Sequence, residues 1–174
     1  MVGFWPLNNE HEGADLSGHG NNITFHDVTF TNDAVVFRGE NSSYGEILAS
    51  QSLHLQYKIT WMAEYYPETN SGGPLFDWFA PLYWEGWSFQ IWYFDIGLFV
   101  NPSIDSALSD YAQGSSPIIT GQWNKIGMSI NSHVGVIKMN INGEEKRFEN
   151  PGWIGEISPT NVNVYIGHTY VCFK

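Results

Sequence analysis

The run from Phe76 to Trp87 reads Phe-Asp-Trp-Phe-Ala-Pro-Leu-Tyr-Trp-Glu-Gly-Trp. Flat rings beside a carboxylate are the parts from which a sugar site is made. The C–H face of a pyranose rests on an aromatic ring, while carboxylates, amides and imidazoles hold its hydroxyls. Such sites combine apolar surface with a few placed polar groups. Tyr83, Trp84 and Glu85 fall between strand-like patterns, where a large ring is hard to hide, so they are the first ligand-binding candidates. A second set lies on an outward-facing strand surface. If the odd residues of Leu53–Tyr65 are buried, His54, Gln56, Lys58 and Thr60 face outward. Gln90 and Trp92 join them if Trp87, Phe89, Ile91 and Tyr93 point to the core, and an exposed Trp92 would need a partner.

Catalytic chemistry is poorly supplied. Glycoside hydrolysis needs two carboxylates across a cleft, about 5 Å apart for retention or roughly 6.5–9.5 Å for inversion. No strand carries carboxylates at alternating positions; Glu144 and Glu145 are adjacent and so point to opposite faces. Glu64 and Glu85 leave only a distant pair. Nucleophile elbows, zinc-protease motifs and phosphate loops are absent from the sequence. His11, His19, His26, His133 and His168 are scattered and read as loop or turn residues. Cys172 is the single cysteine, so no internal disulfide can form and no zinc spacing exists. No catalytic residue and no metal ligand is assigned.

The elements that would position these residues are strands. From Leu53 to Tyr65 every odd residue is apolar and five of the six even ones are polar, a period of two that a helix would scatter around its axis. Gly86–Phe94, Ile126–Ile130 and Ile137–Ile141 repeat the alternation. Asn142-Gly143 between two such runs is a strong hairpin signal. Asp95-Ile96-Gly97 is expected to reverse the chain, and Gly13 to Asn22 to form a polar loop. One short helix is expected, capped by Ser103, with Ile104, Ala107, Leu108 and Tyr111 on one side. Many short strands without alternating helices predict an all-β antiparallel sandwich or barrel, with residues 1–174 as one domain.

Charge narrows the partners. Seven Lys and Arg against 18 Asp and Glu give a net charge of −11, and no basic stripe exists to track phosphates. Nucleic acid is therefore excluded, and anionic membranes and glycans are disfavoured, which leaves a neutral ligand or a cation such as Ca2+ helping to bind one. No apolar run approaches the roughly 20 residues of a membrane span. Met1–Pro6 has neither a basic nor a long apolar stretch. The chain is therefore either not exported by that route or is a mature or recombinant form with an added Met, and a secreted, extracellular protein is expected. The sequons at Asn22 and Asn41 fit an extracellular setting.

Phe4-Trp5-Pro6-Leu7-Asn8, Asp15-Leu16-Ser17-Gly18-His19-Gly20-Asn21, Val36-Phe37-Arg38-Gly39 and Ser43-Tyr44-Gly45-Glu46-Ile47 come in that order. Ile59-Thr60-Trp61, Gly72-Gly73-Pro74-Leu75-Phe76, Gly121-Gln122-Trp123-Asn124-Lys125-Ile126, Asn140-Ile141-Asn142-Gly143-Glu144 and Val164-Tyr165-Ile166-Gly167 follow. This series resembles laminin-G-like domains of the concanavalin A-like lectin and glucanase fold. The resemblance covers nearly the whole chain and implies a jelly-roll β-sandwich. Trp5, Trp61, Trp78 and Trp123 are read as core residues on strand patterns or family positions.

Two departures follow. The family's closing strand is missing or very short before Lys174. If missing, Gly3–Leu7 is an unpaired edge strand that favours self-association by edge pairing or terminal strand exchange; if Tyr170–Lys174 folds back as a short closing strand, the chain is a monomer. Calcium-binding relatives place an acidic or amide residue before the Gly-x-Trp strand. Ile118-Ile119-Thr120 stands there, so the family-type calcium site is incomplete. The fold hosts lectins, adhesion modules and hydrolases, so fold alone does not choose among them. A non-catalytic carbohydrate-binding domain for a neutral glycan or glycoprotein is the first reading. A protein adhesion module is the second, and a glycoside hydrolase with dispersed carboxylates the third.

Overall fold

The computed structural model describes residues 1–39, 42–54, 57–68, 73–80, 85–92, 95–101, 110–114, 118–155 and 162–167. Its regular elements are antiparallel strands and two single 3-10 turns, at Gln51–Leu53 and Pro151–Trp153. The fold is an all-β antiparallel sandwich of the jelly-roll kind. Among the described residues no helix is long and apolar enough to cross a membrane. The chain divides into two compact units.

Unit 1 comprises Met1–His54, Gly73–Trp78 and Asn161–Lys174. Its strands are β1 (Ile23–His26), β2 (Val28–Phe30), β3 (Val35–Phe37), β4 (Tyr44–Ile47), the first part of β6 (Gly73–Ala80) and β13 (Val164–Ile166). β1, β4, β13 and β6 lie side by side in that order. Their register aligns Ile23, Ile47 and Val164 on one face, with Gly45, Ile166 and Phe76 in the next row. Ile23, Ile47, Val164, Phe76 and Trp78 are all buried. The hairpin of β2 and β3 packs on this face through Phe25, whose ring meets Phe30 edge-on at 5.2 Å. Gly45 is required there: a Cβ would lie 2.8 Å from both Ile23 Cγ2 and Phe25 Cε1.

The expected N-terminal edge strand does not form. Residues 1–7 have no strand structure, and Leu7 has a φ of 43°, which breaks an extended run. The polar loop takes the backbone instead. Phe4 N–H donates to Asp15 Oδ1 at 3.0 Å, and Leu16 N–H donates to the Phe4 carbonyl at 2.8 Å. Burial raises the Asp15 pKa, but hydrogen bonds from Phe4 N, the Ser17 hydroxyl, Ser17 N and Asn21 N outweigh it and hold the carboxyl down to about 2. Beneath this loop Asn21 is buried, its amide bonded to the Val2 carbonyl and to Ser50 and Ser52.

Unit 2 comprises Leu55–Gly72 and Phe79–Thr160. A sheet of β5 (Lys58–Tyr65), β10 (Asn124–Asn131), β11 (Val136–Ile141) and β12 (Glu144–Glu149) has the order β12-β11-β10-β5. β7 (Glu85–Trp92), β8 (Asp95–Asn101) and β9 (Asp110–Gly114) form consecutive antiparallel pairs. The alternation read from sequence places Ile59, Ile126, Met128, Ile130, Ile137, Met139 and Ile141 inside, each contributing roughly 1.5–3 kcal/mol by leaving water. Trp61 of β5 meets Phe89 of β7 at 5.0 Å, which joins the two layers within this unit. Asn142 and Gly143 both take left-handed φ, 52° and 93°, as a two-residue hairpin demands.

Three local expectations are corrected. Leu53 ends a 3-10 turn and β5 begins only at Lys58, so His54 is not on a strand face. Asp95, Ile96 and Gly97 belong to β8 and pair with Trp92, Ile91 and Gln90, so the chain reverses before them. Tyr111 lies in β9 opposite Phe99, so no helix reaches it; Ser103, Ile104, Ala107 and Leu108 lie outside the described residues. The closing segment 168–174 lies outside them too.

Candidate functional site

The face of unit 1 opposite its apolar core carries a different set of side chains. Period-two geometry puts Thr24 and His26 of β1, Tyr44 and Glu46 of β4, Tyr165 of β13 and Asp77 of β6 on that face. The register sets His26 opposite Tyr44, and Thr24, Glu46, Tyr165 and Asp77 in one row across four strands. The imidazole of His26 stacks on Tyr44 with centroids 4.5 Å apart, and Tyr44 meets Tyr165 edge-on at 6.0 Å. Three rings therefore make a continuous wall over three strands.

Glu46 stands beside that wall. Asn163 Nδ2 donates to its Oε1 at 2.7 Å, and the Tyr165 hydroxyl donates to the same oxygen at 3.1 Å. Asn163 is itself fixed, because its Oδ1 accepts the Ala49 N–H at 3.0 Å. Both bonds use Oε1, so Oε2 keeps its lone pairs for an incoming donor. A carboxylate oriented through one oxygen and open through the other can accept one or two hydroxyl groups. Asp77, the second carboxylate of the row, is only 4% exposed. His26 Nε2 is buried and has no hydrogen-bond partner among the described residues. Arg38, a cation of the same unit, is held by Asp27 at 2.9 Å. The arrangement sets a fixed hydrogen-bond acceptor beside an aromatic wall.

The structure describes some of the site residues expected from sequence. Tyr83, Trp84 and Gln56 lie outside the described residues. His54 is exposed at the end of the 3-10 turn in unit 1. Glu85 and Trp92 are the first and last residues of β7, seven steps and about 23 Å of backbone apart. Gln90 is partly buried and donates through Nε2 to the Ser88 hydroxyl at 2.8 Å, while Ser88 is 2% exposed. Ser88 and Gln90 therefore bond to one another instead of standing freely in solvent.

Trp123 is 51% exposed, against the expectation of a core residue. It precedes the first residue of β10 and so escapes the strand's inward alternation. Trp78 is buried; Trp61 and Trp5 are partly buried, with Trp5 Nε1 bonded to the Asn21 carbonyl at 2.7 Å. His26 is a strand residue, not a loop residue. The sequence reading missed His26, Tyr44, Glu46, Asn163 and Tyr165 as a group. Their signal was three short alternations: Ile23-Thr24-Phe25-His26, Tyr44-Gly45-Glu46-Ile47 and Asn163-Val164-Tyr165-Ile166.

Ile118 is buried, and Ile119 and Thr120 beside it are exposed. Among the described residues no group of three or more His, Cys, Asp or Glu side chains gathers to hold a metal ion.

No protein-family model and no curated protein matches the chain. Solved structures do. The ligand binding domain of botulinum neurotoxin serotype D, in complex with N-acetylneuraminic acid, superposes with a TM-score of 0.65 at 12% identity, over 92% of this chain and 41% of that one. The binding domain of botulinum neurotoxin DC, in complex with rat synaptotagmin II, gives 0.63 at 13% identity, over 95% and 43%. Domains LG4-5 of the mouse laminin alpha1 chain give 0.64 at 10% identity, over 79% and 35%. At these identities the likeness is one of fold. The chain spans about two-fifths of the length of these structures.

Proposed function

We propose that this chain is a non-catalytic carbohydrate-binding module that takes a neutral glycan on the face formed by His26, Tyr44, Glu46, Asn163 and Tyr165. One observation carries the reading: Glu46 is clamped through Oε1 by Asn163 and Tyr165, with Oε2 open beside stacked rings. A fixed acceptor next to an aromatic wall matches the needs of a sugar, whose hydroxyls donate and whose C–H face packs. The fold neighbours support a binding role, since they include toxin binding domains in complex with N-acetylneuraminic acid and with synaptotagmin. The neutral preference is this chain's own. Glu46 and Asp77 share the face, Arg38 is neutralised by Asp27, and the net charge is −11, so an anionic sugar would be repelled.

A catalytic role fits less well. Glu46 and Asp77 flank Tyr165 two strand spacings apart, about 10 Å between backbones. Asp77 is too buried to reach a glycosidic oxygen. Binding is read as calcium-independent, because the position that should supply a ligand is filled by isoleucines.

A glycan array with the parent chain, Tyr44→Ala and Glu46→Gln tests the reading. Binding to neutral glycans by the parent, and its loss in both variants, is the expected result. If these variants bind like the parent while Trp84→Ala, Glu85→Ala or Trp92→Ala loses binding, the site moves to β7. If no glycan is bound and a protein ligand is captured instead, the adhesion reading, second in order, replaces this one. Release of reducing sugar from any array ligand would overturn the non-catalytic assignment.

A further inference from the structure

Unit 2 has an aromatic corner of its own. Tyr66 and Trp123 are 43% and 51% exposed, their centroids 5.6 Å apart and their planes at 64°. Ile119, 46% exposed, belongs to the same loop as Trp123. Rings so open to water in a well-packed sheet protein need an explanation, and the loop beneath them is built to hold them there.

Its anchor is Asn124, 0% exposed. Asn124 Oδ1 accepts the Ile119 N–H at 3.0 Å and an Asn142 Nδ2–H at 3.0 Å. Its Nδ2 donates to the Ile119 and Gln122 carbonyls, each at 2.9 Å. One buried amide thus closes the loop at both ends and ties it to the β11–β12 turn. Gly121 N–H donates to the Pro67 carbonyl at 2.9 Å, which fixes the loop against the segment that carries Tyr66. Gly121 has a φ of 77°, a conformation that suits glycine. Trp123 and Tyr66 are therefore presented on a rigid frame, and a ligand meets rings whose ordering cost is already met. The Trp123 indole N–H and the Tyr66 hydroxyl have no hydrogen-bond partner among the described residues, so both polar tips are available.

Size and rim decide the class of ligand. About half of two aromatic side chains and one isoleucine amounts to roughly 300 Å² of apolar surface, against about 800 Å² per partner in a stable protein interface. Thr120, Gln122 and Glu68, near the two rings in sequence and all exposed, carry hydroxyl, amide and carboxylate groups. A small apolar corner with free polar tips and an uncharged or acidic rim fits one sugar ring better than a protein surface. We propose that Tyr66 and Trp123 form a second saccharide site, which stacks the C–H face of a single neutral hexopyranose. The site belongs to unit 2 and uses none of the residues of the Glu46 face, so either can fail without the other.

Nuclear magnetic resonance of the full chain with ¹⁵N-labelled tryptophan tests this. The Trp123 indole signal is assigned by its loss in Trp123→Phe, and the probes are methyl β-galactoside, methyl β-glucoside and the open-chain polyol sorbitol. The expected result is a saturable shift of that signal with one or both glycosides and none with sorbitol. The shift persists in Glu46→Gln and its midpoint weakens about tenfold in Tyr66→Ala. An indole signal that neither glycoside moves overturns the proposal. So does an equal response to sorbitol, or an unchanged midpoint in Tyr66→Ala with the fold intact. Broadening of the signal with protein concentration alone would instead make the corner a contact between copies of the chain, which also overturns it.

Discussion

Glu46 and Tyr165 stand opposite one another on adjacent antiparallel strands, 119 residues apart in sequence and joined by a 3.1 Å hydrogen bond. That bond orients the carboxylate on which the proposed glycan site depends. Tyr165→Phe keeps the ring and deletes the donor. We expect a loss of about 1 kcal/mol in urea unfolding, since Asn163 still holds Glu46, together with weaker glycan binding. A variant of unchanged affinity would mean that the orientation of Glu46 is irrelevant to the ligand.

Asn124→Ala should be the costliest single change outside the apolar core. It strips partners from the Ile119 N–H and carbonyl, the Gln122 carbonyl and Asn142 Nδ2. Buried polar groups left unpaired cost about 1–3 kcal/mol each, so a loss of about 3 kcal/mol is expected after water recovers some of them. Chemical denaturation of parent and variant gives the number directly.

Gly45→Ala tests the packing of the β2–β3 hairpin on β1 and β4. The new methyl group would meet Ile23 and Phe25 at 2.8 Å, so one of them has to move. Overpacking of this kind costs about 1–3 kcal/mol. A thermal midpoint equal to the parent's would show that the hairpin yields freely.

Acid should loosen the N-terminal loop through Asp15. Its pKa falls from the ordinary 3.8 to about 2 on folding, so the unfolded chain binds the proton more readily. The stabilisation is fully present above about pH 4 and is lost as pH falls toward 2. Asp15→Asn should lower stability at neutral pH and flatten the pH dependence between 4 and 2. Equal slopes for parent and variant in that window would rule this out.

A chelator should leave glycan binding unchanged. Ile118, Ile119 and Thr120 present no carboxylate or amide where the resemblance would seek a calcium ligand. Loss of binding in EDTA, restored by added calcium, would place a metal in the recognition step.

The alternation of Lys58–Tyr65 and the Asn142-Gly143 hairpin were legible because their information is local. Each residue's neighbours along the chain already state which face it occupies. Trp123 misled for a related reason: one residue outside a strand, the alternation no longer governs a side chain, and loop hydrogen bonds decide instead. The Glu46 cluster was harder. Tyr44 and Glu46 lie in a motif quoted for the fold resemblance, but their partners His26 and Asn163 are 20 residues upstream of Glu46 and 117 downstream. Four-residue strands show too little periodicity to reveal that they will be neighbours. The aromatic density from Phe76 to Trp87 drew the sequence reading toward a linear cluster, whereas the clustering found in unit 1 runs across strands.

The placement of β13 between β4 and β6 bears on how the protein is made. A ribosome delivers the chain from its N-terminus, so β1, β4 and β6 emerge long before the strand that belongs between β4 and β6. Until Val164–Ile166 has left the exit tunnel, those strands must wait with open edges, and Glu46 lacks both of the groups that orient it. Contacts so distant in sequence slow folding and lengthen the exposure of sticky intermediates. Unit 2's sheet has no such debt to the C-terminus, because β5, β10, β11 and β12 are all complete by Glu149. Nascent chains stalled with Glu149 already clear of the exit tunnel but Asn163 still inside it should therefore protect the Trp61–Met128 layer from protease while the Tyr44–Tyr165 face does not yet exist.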